Sequence, residues 1–77
     1  MELVEPIKLT EDMVGDMFET REGKVITLQE YELGLTYGAL CSDGSRTYNG
    51  RFIHGRITDP KDIVKHLPKS QYPEYYL

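Results

Sequence analysis

Between residues 17 and 41 the apolar positions fall in short extended blocks separated by glycine-containing turns. "MFETR" and "KVITLQEY" flank Glu22-Gly23, and a glycine second in such a pair supplies the positive φ that a tight hairpin needs. Val25, Ile26, Thr27 and Leu28 are apolar or β-branched in succession, as in a strand touched on both faces. In "LTYGALCS" the pattern becomes alternating, which puts Leu35, Tyr37, Ala39 and Cys41 on one face and Cys41 with the core. "SDGS" then turns the chain and "RTY" runs back. Asn49-Gly50 predicts a two-residue hairpin into a last strand over 51–57.

The segment "TDPKDIVKHLP" reads as a helix. Asp59 can cap it, Pro60 suits the first helical position, and Asp62 stands near its positive end. Ile63, Val64 and Leu67 form an apolar stripe and Pro68 stops it, so a short helix over 60–66 should plug one end of the sheet. The chain then divides into an N-terminal arm (1–15), a β-barrel domain with a closing helix (16–67) and a tyrosine-rich tail (68–77). In the arm, Thr10 can cap a single turn through Met13 and Val14 before Gly15. The expected class is mainly β: about five short strands in a small barrel or rolled antiparallel sheet, with one short C-terminal helix.

Charge adds an asymmetry to this picture. The 77 residues carry a net charge of −4, but residues 1–34 hold nine acids against three bases, a net −6. Residues 35–77 hold six bases against four acids, a net +2, so the second half is the part that can favour an anion. A single cysteine excludes an internal disulfide framework and suits a reducing compartment. There is no apolar run of membrane-spanning length, and "MELVEPIKL" has acids and a proline where an export signal needs bases and an apolar core. The expectation is a cytoplasmic protein without membrane contact.

Candidate chemistry concentrates in "TYNGRFIHGRITDP". On a two-residue turn at Asn49-Gly50, Tyr48 faces Arg51, Thr47 faces Phe52 and Arg46 faces Ile53. With Ile53 and Ile57 pointing inward, Phe52, His54 and Arg56 form an exposed stripe, and Tyr48 and Arg51 stack at the tip. That arrangement is a recognition surface: aromatics to stack, arginines for a carboxylate or phosphate, a histidine to donate or accept. The plainer reading is a hairpin whose polar side chains cover barrel edges while Phe52 enters the core. Tyr75 and Tyr76 in the tail, with Leu77, either fold back over a barrel edge or are presented to a partner.

Signatures of catalysis are missing from the sequence. Cys41 and His54 have no third group in sequence to orient a base, there is no G-x-S-x-G or glycine-rich phosphate loop, and Cys41, His54 and His66 lack zinc spacing. No catalytic residue, metal or cofactor is expected.

The pieces "TREGK" (20–24), "SDGS" (42–45), "YNGRF" (48–52) and "DPKDIV" (59–64) follow one another over about 45 residues. Their order and spacing resemble small phage and prophage proteins of unassigned function that read "TRDGR", "DG", "(D/N)GR(F/Y)" and "P-x-D-(L/I)-V". "TREG" in place of "TRDG" is a departure, and the acidic arm and the tail lie outside the pattern. The resemblance implies an SH3-like β fold, a phage-type origin and the cytoplasm of a bacterial host. It implies no catalytic residues.

Taken together, the expected function is a small binding module that docks on a host or phage protein and modulates its activity. A nucleic-acid-binding barrel using the Arg46–Arg56 hairpin is the alternative, although a net charge of −4 opposes phosphate affinity. An acidic first half that imitates a phosphate backbone is a third reading.

Overall fold

The computed structural model describes residues 4–55 and 57–77. Five strands form one antiparallel sheet: β1 (Met17–Thr20), β2 (Val25–Tyr31), β3 (Ala39–Cys41), β4 (Gly44–Arg46) and β5 (Ile63–Leu67). Their spatial order is β4-β3-β2-β1-β5. The expected β1–β2 hairpin forms with Met17 opposite Thr27 and Phe18 opposite Ile26, and Gly23 takes φ +91° in its turn. The "SDGS" turn joins β3 to β4, with Cys41 opposite Gly44 and Ala39 opposite Arg46.

One face of the sheet carries the core. Phe18, Ile26, Leu28, Ala39, Cys41 and Ile63 are buried there together with Leu9 from the N-terminal segment, and Ile7, Met13 and Tyr31 pack around them. Placing Leu9 fully inside ties residues 7–9 to the sheet. The Leu9 N–H donates to the Tyr48 carbonyl at 2.7 Å, and the Ile7 N–H donates to the Ile63 carbonyl at 3.0 Å. The turn expected after Thr10 is a 3-10 turn over Glu11–Met13.

Three expectations are corrected. The segment expected as a helix over 60–66 is strand β5, paired with β1 so that Phe18 opposes His66 and Met17 opposes Leu67. Ile63 and Val64 are β-branched, and the seven residues between Pro60 and Pro68 are too few to separate a helical stripe from a strand. Pairing with β1 decides the matter. Among the described residues, helix is confined to two 3-10 turns, Glu11–Met13 and Pro73–Tyr76.

Second, the sheet does not close into a barrel; β4 and β5 are its edges. The outer edge of β5 is covered at its first residue: Ile63 accepts from Ile7 and donates to the Gly50 carbonyl at 2.8 Å. Such cover blocks edge-to-edge pairing at that position without completing a ladder.

Third, residues 51–55 and 57 form no strand after Asn49-Gly50. A turn forms one residue earlier than expected: the Gly50 N–H donates to the Thr47 carbonyl at 2.9 Å, so Tyr48 and Asn49 are its central residues. Gly50 follows at φ +78°, and Thr47, in place of Tyr48, faces Arg51. The backbone of 48–50, however, is engaged by Leu9 and Ile63, so no ladder follows. Ile57, expected inward, is exposed.

Candidate docking surface

Two buried carboxylate–guanidinium groups hold the long 47–62 connection against the sheet. Asp62 is fully buried. Its Oδ1 accepts the Phe52 N–H at 2.9 Å, and its Oδ2 accepts the Asp59 N–H at 3.1 Å and Arg21 Nη2 at 3.2 Å. Arg21 also donates from Nη1 to the Val4 carbonyl (2.7 Å), while the Glu22 N–H reaches the Pro60 carbonyl (2.9 Å). Arg46, likewise fully buried, donates to the carbonyls of Lys61 (2.8 Å) and Gly44 (3.0 Å) and to Asp43 Oδ2 (3.0 Å). "TREGK", "SDGS", "YNGRF" and "DPKDIV", quoted above for their order, thus meet in space, and Arg21, Asp43, Arg51 and Asp62 among their charged residues form internal ion pairs. A buried charge demands this, since an unpaired one would cost several kcal/mol.

The sequence-derived site residues divide accordingly. Phe52 is half-buried beneath two cations, with Arg46 Cζ and Lys61 Nζ each 4.9 Å from its ring centroid. Arg51 pairs with Glu5 at 3.2 Å. Tyr48 packs its ring on Tyr31 (4.9 Å between centroids), accepts the Leu35 N–H at 3.3 Å and donates to the Glu32 carbonyl. His54 is exposed. Arg56 lies outside the described residues. Tyr76 is half-buried; its hydroxyl accepts the Met17 N–H at 2.6 Å and donates to the Leu67 carbonyl, at the end of the β1–β5 ladder. Tyr75 is exposed beside Tyr72, over which Lys65 places its ammonium at 5.1 Å. The Tyr72 hydroxyl is the main reason that the Lys65 pKa is raised.

Exposed apolar side chains gather elsewhere, on the 32–38 loop between β2 and β3. Leu33 is 75% exposed, Leu35 48% and Tyr37 38%. Alternation through Ala39 and Cys41 had assigned Leu35 and Tyr37 to the core; the turns at 33–34 and 36–37 break that face. Two tyrosines brace this loop against the 47–55 loop. Tyr48 bonds the backbone of Glu32 and Leu35, and in return Tyr37 Oη accepts the His54 N–H at 2.9 Å. Gly38 permits the close approach, for a Cβ there would collide with the Glu32 carbonyl and the Tyr48 hydroxyl.

Between the braced loops lies an open cleft of about 330 Å³, lined by Leu35, Thr36, Thr47, Tyr48, Asn49 and His54 together with Gly34. No family model matches this chain, and no curated protein or solved structure matches it. The cleft and its apolar rim therefore carry the functional reading.

A different groove, of about 580 Å³, runs beside β2 and is lined by Glu11, Glu30 and Glu32 with Val14, Gln29 and Tyr31. Cys41 is buried, and desolvation pushes its thiol up to about 11, with the nearby Arg46 opposing the shift. Such a thiol is a packing group and a poor nucleophile. Among the described residues, no group of three or more His, Cys, Asp or Glu side chains could hold a metal ion, and no helix is long and apolar enough to cross a membrane.

The sequence reading found His54 and Tyr48 of this surface and missed Leu33, Leu35, Thr36, Tyr37 and Asn49. A signal was present in "YELGLTYG": two glycines within five residues mark a loop, and a loop rich in leucine and tyrosine is unusual enough to suggest exposure.

Proposed function

We propose that this chain is a small binding module that docks on a host or phage protein and modulates its activity, using the 32–38 loop and the adjoining cleft. The supporting observation is the exposure of Leu33, Leu35 and Tyr37 on one loop fixed in place by Tyr48. Exposed apolar groups rimmed by polar ones mark protein contact surfaces, and rigid loops lose little entropy on binding. The resemblance to phage and prophage proteins supports a bacterial cytoplasm as the setting. Engagement of Arg21, Arg46 and Arg51 by carboxylates weighs against the nucleic-acid alternative, because phosphate affinity draws on free cations.

A second reading, imitation of an acidic phosphate backbone, is favoured by the groove that collects Glu11, Glu30 and Glu32. Capture from bacterial lysate by the immobilised chain separates the two. With Leu33→Asp/Leu35→Asp the stoichiometric partner should be lost, and with Glu11→Lys/Glu30→Lys it should be kept. The reverse result supports acidic imitation, and co-purifying nucleic acid supports the nucleic-acid alternative. Both double variants alter exposed residues, so their melting curves should match the parent.

A further inference from the structure

We infer that the cleft between the two tyrosine-braced loops takes an uncharged, extended segment of the partner polypeptide, with an aliphatic side chain seated against Leu35 and Tyr48. This rests on the protein-docking reading and specifies what enters the site.

Charge makes the first selection. In a chain with 29% charged residues, none of the described side chains lining the cleft is Asp, Glu, Lys or Arg. A phosphate, carboxylate or ammonium seated against those side chains would give up part of its hydration without meeting an opposite charge among them. The acidic groove beside β2 would take a basic segment instead; the neutral cleft would not.

Polar chemistry makes the second selection. Thr36, Asn49 and His54 are exposed and bring a hydroxyl, a carboxamide and an imidazole to one opening. A carboxamide donates and accepts together, which is the complement of a peptide group. Extended backbone presents such groups at its edges, whereas helical backbone has consumed them. The Tyr48 ring and Leu35 supply the apolar wall, and a volume of about 330 Å³ suits a few residues.

Rigidity makes the third. Tyr48 bonds to the Glu32 carbonyl and the Leu35 N–H, and the His54 N–H bonds to Tyr37, so both walls are fixed before anything enters. Fixed walls are what let a short segment bind without an ordering cost.

The test is selection of a displayed random 12-residue peptide library on the full chain, followed by fluorescence polarisation of the best peptide. The enriched sequences should share an uncharged core of a few residues around one aliphatic side chain. Asn49→Ala and Leu35→Ala should each weaken the selected peptide by about five- to tenfold, as for one lost hydrogen bond or apolar contact. Both are safe substitutions for folding, since the two residues are exposed and Asn49 has a negative φ. Glu30→Lys should change affinity by less than about twofold. Enriched cores containing Asp, Glu, Lys or Arg, indifference to Asn49→Ala and Leu35→Ala, or the absence of any enrichment would overturn the inference. If Leu33→Asp/Leu35→Asp abolishes protein capture while no peptide is enriched, docking stands and the extended-segment inference falls.

Discussion

Arg21 and Asp62 meet across 41 positions of sequence, guanidinium nitrogen to carboxylate oxygen at 3.2 Å, with the carboxylate fully buried. Asp62 also receives the backbone N–H groups of Phe52 and Asp59, so one side chain ties the β1–β2 turn to both ends of the 52–62 connection. Removing it leaves two N–H groups and a guanidinium without their acceptor. Asp62→Ala should cost about 3–5 kcal/mol, the range for breaking a buried pair from one side. Arg21, partly exposed at 18%, should cost less on Arg21→Ala, about 1–2 kcal/mol. The double variant should be less destabilised than the sum. Urea denaturation measures all three, and Asp62→Asn serves if Asp62→Ala does not fold. Full additivity would show that the two side chains do not act together.

Glycines at positive φ separate turn geometry from close packing. At Gly23, φ +91°, an added Cβ meets nothing within 4 Å, so Gly23→Ala should cost only the backbone strain of about 1–2 kcal/mol. At Gly50, φ +78°, the Cβ would lie 2.5 Å from the Ile7 carbonyl oxygen. Gly50→Ala adds that collision to the strain and should be worse by about 1–3 kcal/mol. Equal denaturation midpoints for the two variants would mean that residues 7–9 do not lie against the 48–50 turn.

Which parts of this were legible follows from range. β1, β2 and the β3–β4 turn rest on neighbouring residues: Val25–Leu28, Glu22-Gly23 and Asp43-Gly44 carry their own signals. Strand β5 depends on β1, more than forty residues away, and a β-branched pair between two prolines does not reveal that partner. Asn49-Gly50 did signal a turn, but the N-terminal segment took the hydrogen bonds that a hairpin strand would have used. Arg46 illustrates the limit for the site. An arginine reads as surface, and only the geometry shows it sealed among Asp43, Phe52 and the Lys61 carbonyl. With Arg21, Arg46 and Arg51 engaged by carboxylates, the proposed docking surface moves to the exposed Leu33, Leu35 and Tyr37.

The tail folds back through one hydroxyl. Tyr76 stands between the Met17 N–H and the Leu67 carbonyl, register partners at the end of the β1–β5 ladder. Tyr76→Phe should cost about 1–2 kcal/mol, and deletion of residues 71–77 somewhat more, with about 4–8 °C in melting temperature for each kcal/mol. Unchanged melting together with lost partner capture would make the tail an interaction element and not a cover.

Alkaline pH probes Cys41. Its thiol is raised from 9.0 to about 11, so the folded state holds the proton more tightly than the unfolded chain. Stability from this group is complete below pH 9.0 and declines as pH rises toward about 11, where the folded thiol also ionises. The loss should reach at most about 2–3 kcal/mol at about 1.4 kcal/mol per unit. Urea midpoints for the parent and Cys41→Ala should therefore converge from pH 8 to 11. Parallel curves would show a thiol that titrates normally.

Docking as proposed puts partner contact on the braced loops and leaves the acidic groove and the tail free. Amide hydrogen exchange of the full chain, alone and saturated with its captured partner, tests it most directly. Slower exchange should be confined to residues 32–38, 47–49 and 54. Protection centred on residues 11–14 and 29–31, or on 72–77, with 32–38 unchanged, would contradict it.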